Sequence, residues 1–235
     1  MVTEADKEWL IIHHPTLKFN DDETEILGEF IFSGAYDEAN NTFTPLTLRD
    51  QTASGVILSG SYGVVITLST DKNFLPKLKV LDEKINSNVD RHFYTDPVGK
   101  ACLCGPTEEI DFLNRKNYSL PMFIEELVTP FLYGQRFYDE HEAWPWDEYL
   151  HGAAGAFHSF YDSQQAVEHA KACIRKLKKA KHAWERVERV LFRGERVDGG
   201  SKCFCGSHKI KDCNMKAWEG FRKLRRMIVE NNITF

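Results

Sequence analysis

EILGEFIFSGAY, residues 25–36, sets Ile26, Phe30 and Phe32 among smaller or polar neighbours in the period-two manner of a strand with one buried face. Residues 37–41, DEANN, carry the turn chemistry that ends it. The pattern continues outward. Residues 55–59 and 62–68 predict a second and a third strand joined through Ser59, Gly60 and Ser61. Residues 74–82, FLPKLKVLD, predict a fourth extended segment, whose Pro76 suits a sheet edge because proline cannot donate to a ladder. The expectation is an antiparallel four-stranded meander within an α+β fold, with helices packed on it. Ahead of it, residues 3–10 predict a short acidic helix ending before Pro15.

After the meander comes RHFYTDPVGKACLCGP, residues 91–106. A cysteine nucleophile acts as its thiolate, so it has to be reachable by a bulky acyl donor and to sit where deprotonation is tolerated. A loop with Asp96, Pro97, Gly99 and Lys100 and no apolar periodicity is such a place for Cys102. The competing expectation is a small buried hydrophobe, the commonest fate of an unpaired cysteine.

His92 precedes a glycine, two further residues and then Cys102 and Leu103. This resembles the active-site segment of the ubiquitin-conjugating enzymes, where a His-Pro-Asn turn precedes the cysteine that carries ubiquitin as a thioester. Phe93 and Tyr94 stand where that family has proline and asparagine, and Cys104 where many members have aspartate. The order of meander, proline-containing segment, cysteine stretch and helices also resembles that fold, over residues 25–162. The resemblance implies a catalytic Cys102 and a loop-ordering His92. With Tyr94 in the asparagine's place, the oxyanion donor would be a backbone N–H near Cys102 or the Tyr94 hydroxyl. Cys104 would trap Cys102 as a disulfide or relay the acyl group, although side chains at i and i+2 of extended backbone point to opposite faces.

Residues 120–138 predict a helix with Phe123, Leu127, Phe131 and Leu132 on one side, kinked or broken at Pro130. Trp144, Pro145, Trp146, His151, Gly152 and Gly155 follow, in a segment similar to one in bacterial relatives of the conjugating enzymes found in anti-phage operons. Read without that resemblance, the tryptophans and Phe157 close a core and His151 is structural.

From Ser163, apolar residues from Ala166 to Leu191 recur at three- and four-residue spacing, predicting one amphipathic helix of up to eight turns capped by Asp162 or Ser163. Its polar face carries Lys171, Arg175, Lys178, Lys179, Arg186 and Arg189, expected as solvated surface. Beyond a break at Asp198-Gly199-Gly200 lies SKCFCGSHKIKDCN, residues 201–214. Cys203, Cys205 and Cys213 around a Gly-Ser turn bring thiolates together for tetrahedral coordination. This resembles the SEC-C zinc-binding motif, which implies a structural zinc ion. Asn214 stands where the motif's last ligand falls. His208 is the nearest fourth ligand, with Cys173 or His182 as alternatives, and Asn214 is a candidate cap for a helix over residues 215–229. A rival site would join Cys102 and Cys104 to Cys203 and Cys205, leaving Cys213 and the Gly-Ser turn unexplained.

With 235 residues and 42% hydrophobic content the chain suits one full domain plus an appendage. The expected division is a conjugating-like domain over 1–162 and a helical extension over 163–235 with the hook at 203–214. The first fifty residues hold eleven acidic and three basic side chains, whereas 18 of the 30 lysines and arginines lie beyond Ser163. Because only the terminal region is basic, nucleic acid is not the expected partner. No apolar run approaches membrane-spanning length and an acidic stretch follows Met1, so a cytoplasmic protein is expected. Six cysteines there read as reactive or metal-binding groups, not disulfides.

Together these readings imply a bacterial thioester-forming transferase of antiviral defence, similar to stand-alone conjugating-like proteins of cyclic-oligonucleotide anti-phage systems. Its partner would be a protein with a reactive C-terminus, a cGAS/DncV-like nucleotidyltransferase or a ubiquitin-like protein. No glycine-rich nucleotide loop is present, so any ATP-dependent activation falls to a separate activating enzyme. A non-catalytic adaptor and a cysteine hydrolase are the alternatives.

Overall fold

The computed structural model describes residues 2–46, 53–71, 73–82, 85, 89–94, 99–116, 118–148, 150–179, 181–205 and 208–234, with 181–183 by their backbone. The chain forms two compact units: residues 1–103 with 115–147, and residues 104–114 with 148–235. Packing thus assigns residues 148–162 to the same unit as the C-terminal region, ahead of the division anticipated after Asp162.

The first unit is built on an antiparallel sheet. Helix α1 (Glu4–His13) opens it, with Thr3 and Asp6 closing a capping box. Strands β1 (Leu17–Phe19), β2 (Glu25–Asp37), β3 (Thr42–Pro45), β4 (Val56–Thr67) and β5 (Lys77–Val80) follow. Their order is β1-β2-β4-β5, and β3 pairs with the far end of β2. Ser59, Gly60 and Ser61 are not a link between strands. They lie inside one continuous β4, opposite Ser33, Phe32 and Ile31. A small-polar triplet resembles turn chemistry, but here Gly60 makes room for the Phe32 ring, 3.1 Å from where its Cβ would stand. Among the described residues the four expected strands are therefore five, since the predicted second and third are one and β1 and β3 are added.

Ile26, Phe30, Val64, Ile66, Leu78 and Val80 are all fully buried, the inner face that the alternation of β2 anticipated. Helix α4 (Thr129–His141) packs on β2, β3 and β4. It is preceded by α3 (Leu120–Phe123) and by one π-type turn, Ile124–Val128. Pro130 has no N–H and its ring crowds the preceding turn; the wider turn relieves both, and the Thr129 hydroxyl donates to the Ile124 carbonyl at 2.9 Å. Where a kink or break was expected at Pro130, a π-type bulge precedes it and the helical run continues to His141.

His14 follows α1 against the ring of Phe30, centroids 4.7 Å apart. Burial, with a smaller contribution from His13, pushes the imidazole down to about 4 from an ordinary 6.5. The native state then holds it neutral while the unfolded chain takes up a proton below about 6.5, so stability is full above that pH and falls between about 6.5 and 4. Urea midpoints at pH 7 and pH 5 should differ in that direction, and His14→Phe should flatten the dependence.

In the second unit, α2 (Pro106–Leu113) and α5 (Gly152–Asp162) pack with α6 (Val167–Lys179), α7 (Lys181–Phe192) and α8 (Met215–Glu230). Phe157, Phe160, Cys173, Leu177, Phe221 and Leu224 lie in its core. The single long helix expected from residue 163 is two, α6 and α7. Ser163 is not an N-cap: it ends α5, its N–H donating to Ser159 O, and α6 begins only at Val167. His169, buried in α6, accepts from the Ala166 N–H on Nδ1 at 3.3 Å, which leaves Nε2 to donate to Asp111 of α2 at 2.7 Å. No helix among the described residues is long and apolar enough to cross a membrane.

Candidate functional site

The thiol segment is an addition to the edge of the sheet. Lys100 bridges Lys79 of β5, and the Ala101 N–H donates to Leu78 O at 2.9 Å. Residues 92–94 fold back on 100–102: Phe93 bridges Ala101, Tyr94 N–H donates to Lys100 O at 2.9 Å, and Cys102 N–H to His92 O at 2.7 Å. The small hairpin needs two left-handed residues, His92 (φ 57) and Gly99 (φ 58).

Anchors hold this hairpin on α4 and its exit. Phe93 is buried edge-on against Phe131 at 5.4 Å, and Gln135 Nε2 donates to Arg91 O at 2.9 Å. The Arg91 guanidinium meets Asp139 at 2.5 Å and lies over the Tyr138 ring, while the Tyr62 hydroxyl of β4 donates to the same Asp139 at 3.2 Å. Trp144 donates its indole N–H to Asp90 O at 3.0 Å and takes the His92 ring against its edge at 4.7 Å. Gly134 makes this possible, because a Cβ there would stand 2.1 Å from the Trp144 ring. Trp144 and Trp146 are half-buried, in an aromatic cluster with Tyr133 and Phe43.

Cys102 is half-exposed, and the Tyr94 hydroxyl donates to its Sγ at 3.2 Å. The N–H of Cys102 itself is given to His92 O, and the Tyr94 hydroxyl stands beside the sulfur. The His92 carbonyl accepts from Cys102 N–H and its ring packs on Trp144. Cys104 falls in the second unit, half-exposed, just ahead of the Gly105 that opens α2. None of the six cysteines forms a disulfide. Asp96 and Pro97 lie outside the described residues.

The second unit brings the hook cysteines together. The Cys203, Cys205 and Cys213 Sγ atoms lie within 4.8 Å of one another, and those of Cys205 and Cys213 are 3.6 Å apart. The hairpin that does this pairs Lys202 with Lys209, and the Cys203 N–H donates to His208 O at 2.7 Å. A single 3-10 turn, Ile210–Asp212, then returns Cys213. Thiolates around a tetrahedral ion at about 2.3 Å stand roughly 3.8 Å apart, so the spacing suits a metal ion. His208 Nδ1 is 3.6 Å from Cys205 Sγ, on an exposed side chain outside the group of three. Cys173 is no candidate ligand: it is fully buried between helices, donates to Ala156 O at 3.3 Å, and burial pushes its thiol far up. Asn214 caps α8 by accepting from Ala217 N–H at 3.2 Å. Gly206, Ser207 and the His182 side chain lie outside the described residues.

Two features of the hook escaped the sequence. Phe204, between Cys203 and Cys205, inserts edge-on against Phe157 and beside Phe221, each at 5.1 Å. Arg186 of α7 lies over the Phe204 ring at 4.8 Å and donates to the Lys202 and Cys203 carbonyls. A stripe of cations carries no sign of which one will turn inward. Others in that stripe are compensated locally, Lys171 by Glu168 and Arg189 by Glu185 and Glu195.

Compared with known protein families, with curated proteins and with solved structures, the chain matches none.

Proposed function

We propose that the chain is a ubiquitin-conjugating-like acyl carrier and transferase of bacterial antiviral defence, working in the cytoplasm through Cys102. The observation that carries this reading is the half-exposed Cys102 Sγ on a hairpin bound to the β5 edge, with the Tyr94 hydroxyl 3.2 Å away. A thiol meant for packing has no need of a hydroxyl donor at its sulfur; a thiolate or a tetrahedral oxyanion gains from one. The Cys102 thiolate attacks the activated carbonyl at a partner's C-terminus, a C–S bond forms, and the activating group leaves with its electron pair. An acceptor amine or thiol then displaces Cys102. The donor is a cGAS/DncV-like nucleotidyltransferase or a ubiquitin-like protein, activated by a separate enzyme. Cys203, Cys205 and Cys213 hold a zinc ion in a structural role, with His208 turning in as fourth ligand, because a closed site offers no open position for chemistry.

Incubating the protein with such a donor and its activating enzyme should give an adduct cleaved by thiols. Cys102→Ala should give none, and Tyr94→Phe should slow its formation about 10- to 100-fold, the scale of one lost oxyanion donor or somewhat less. An adduct that persists in Cys102→Ala, or release of free C-terminal carboxylate without one, overturns the transferase reading, the second result in favour of a hydrolase.

A further inference from the structure

We propose that the chain self-associates, α1 of one copy docking along the groove beside α8 of another. The groove is about 450 Å³ and is lined by Val197, Trp218, Phe221, Val229, the cations Arg222, Arg225 and Arg226 and one carboxylate, Glu230, which leaves three positive charges against one negative. Val229 is 67% exposed, a large apolar side chain left in solvent. The arginines are poorly neutralised. Arg222 meets Glu219 at 3.0 Å, Arg225 reaches only the Glu195 carbonyl at 3.4 Å, and Arg226 has no ion pair among the described residues. The groove therefore asks for an occupant that is apolar along one line and acidic beside it.

Helix α1 has that surface. Its packed side carries Asp6 and Leu10, while Ile11 and Ile12 are 67% and 73% exposed. At 100° per residue, Glu4, Glu8, Ile11 and Ile12 fall within one arc of roughly 100°, two carboxylates followed by two isoleucines. Glu4 is shared with Lys7, and Glu8 has no ion pair among the described residues. The lengths agree too. Ten residues of α1 span about 15 Å, and the groove from Trp218 to Val229 spans about 17 Å at 1.5 Å per residue. The charge asymmetry of the sequence, acidic at the start and basic at the end, gives both halves of the contact to every copy. One helix in one groove is a small interface, so the association is weak and salt-sensitive.

Sedimentation velocity across a concentration series tests this. At low ionic strength the wild type should associate with a Kd in the micromolar range, and about 0.5 M NaCl should weaken it at least tenfold. Ile12→Asp, Glu8→Arg and Arg225→Glu alone should each be monomeric at about 50 µM, with unchanged melting temperatures for the first two, whose positions are exposed, and a small loss for Arg225→Glu, which gives up its contact with the Glu195 carbonyl. Mixing Glu8→Arg with Arg225→Glu should restore association, because a reciprocal pair then has one charge-reversed contact and one native contact. A wild type that stays monomeric at about 100 µM in low salt, or association that all three variants retain, overturns the proposal.

Discussion

Gly220→Val leaves the second unit unfolded, and Gly220→Ala destabilises it by about 3 kcal/mol or more. Gly220 is buried in α8, where a Cβ would stand 1.8 Å from the Phe157 carbonyl oxygen and 3.1 Å from Tyr161 Cβ. The first obstacle is main chain of α5 and has no rotamer to change. The helices have to separate by more than an ångström, opening the core of Phe157, Phe160, Phe221 and Leu224 between them. An opposing effect exists, since alanine in a helix interior is better than glycine by about 1 kcal/mol, but it is the smaller of the two. Gly152 is the control. It has φ +66 and open space around it, so Gly152→Ala costs only the strain of a left-handed residue, about 1 kcal/mol. Urea unfolding followed by near-ultraviolet circular dichroism of Trp218 ranks the three variants. Equal losses at positions 152 and 220 contradict the close-packing argument.

Legibility of the fold tracked whether a physical signal was local. The alternation in residues 25–36 read correctly as a strand with Ile26, Phe30 and Phe32 inward, because period two is a property of the backbone itself. Residues 59–61 misled, since Ser-Gly-Ser reads as a turn unless one knows that Phe32 lies across from Gly60. The periodicity from Ala166 to Leu191 identified the buried residues Ala170, Ile174, Leu177, Val187 and Leu191, yet three- and four-residue spacing alone does not mark where one helix gives way to the next. For the sites, the family resemblance singled out Tyr94 with Cys102, and residue types and spacing singled out Cys203, Cys205 and Cys213; the Tyr94 hydroxyl lies 3.2 Å from Cys102 Sγ and the three hook sulfurs lie within 4.8 Å of one another, with His208 outside that group. What holds those side chains was not readable. Asp139, Gln135 and Trp144 serve the thiol hairpin from about 45 to 55 positions away, and Arg186 serves the hook from another helix.

On the zinc assignment proposed above, stripping the metal from the hook should lower the melting temperature of the second unit by on the order of 10 °C and expose Cys203, Cys205 and Cys213 to thiol reagents. The hairpin from residue 201 to residue 213 has one bridge and one 3-10 turn as its own structure. Cys203 is buried and that burial pushes its thiol up to about 12, so without a cation this sulfur is held as a neutral thiol with only weak sulfur hydrogen bonds to its neighbours. A coordinated cation reverses this, since its ligand thiols are deprotonated outright. The loss spreads because Phe204 and the Arg186 clamp depend on the hairpin's shape, and through Phe157 and Phe221 they touch the packing of α5 on α8. Native protein should carry one zinc per chain by plasma mass spectrometry. Cys203→Ser should lose the ion and the stability together, whereas Cys173→Ser should keep full zinc, since that thiol serves only helix packing. His208→Ala separates the fourth-ligand assignment from the rest: weaker retention against a chelator supports it, and unchanged retention moves the fourth position to water or to another group. Metal-free native protein whose melting temperature ignores chelators would leave the three sulfurs as close-packed thiols and remove zinc from the account.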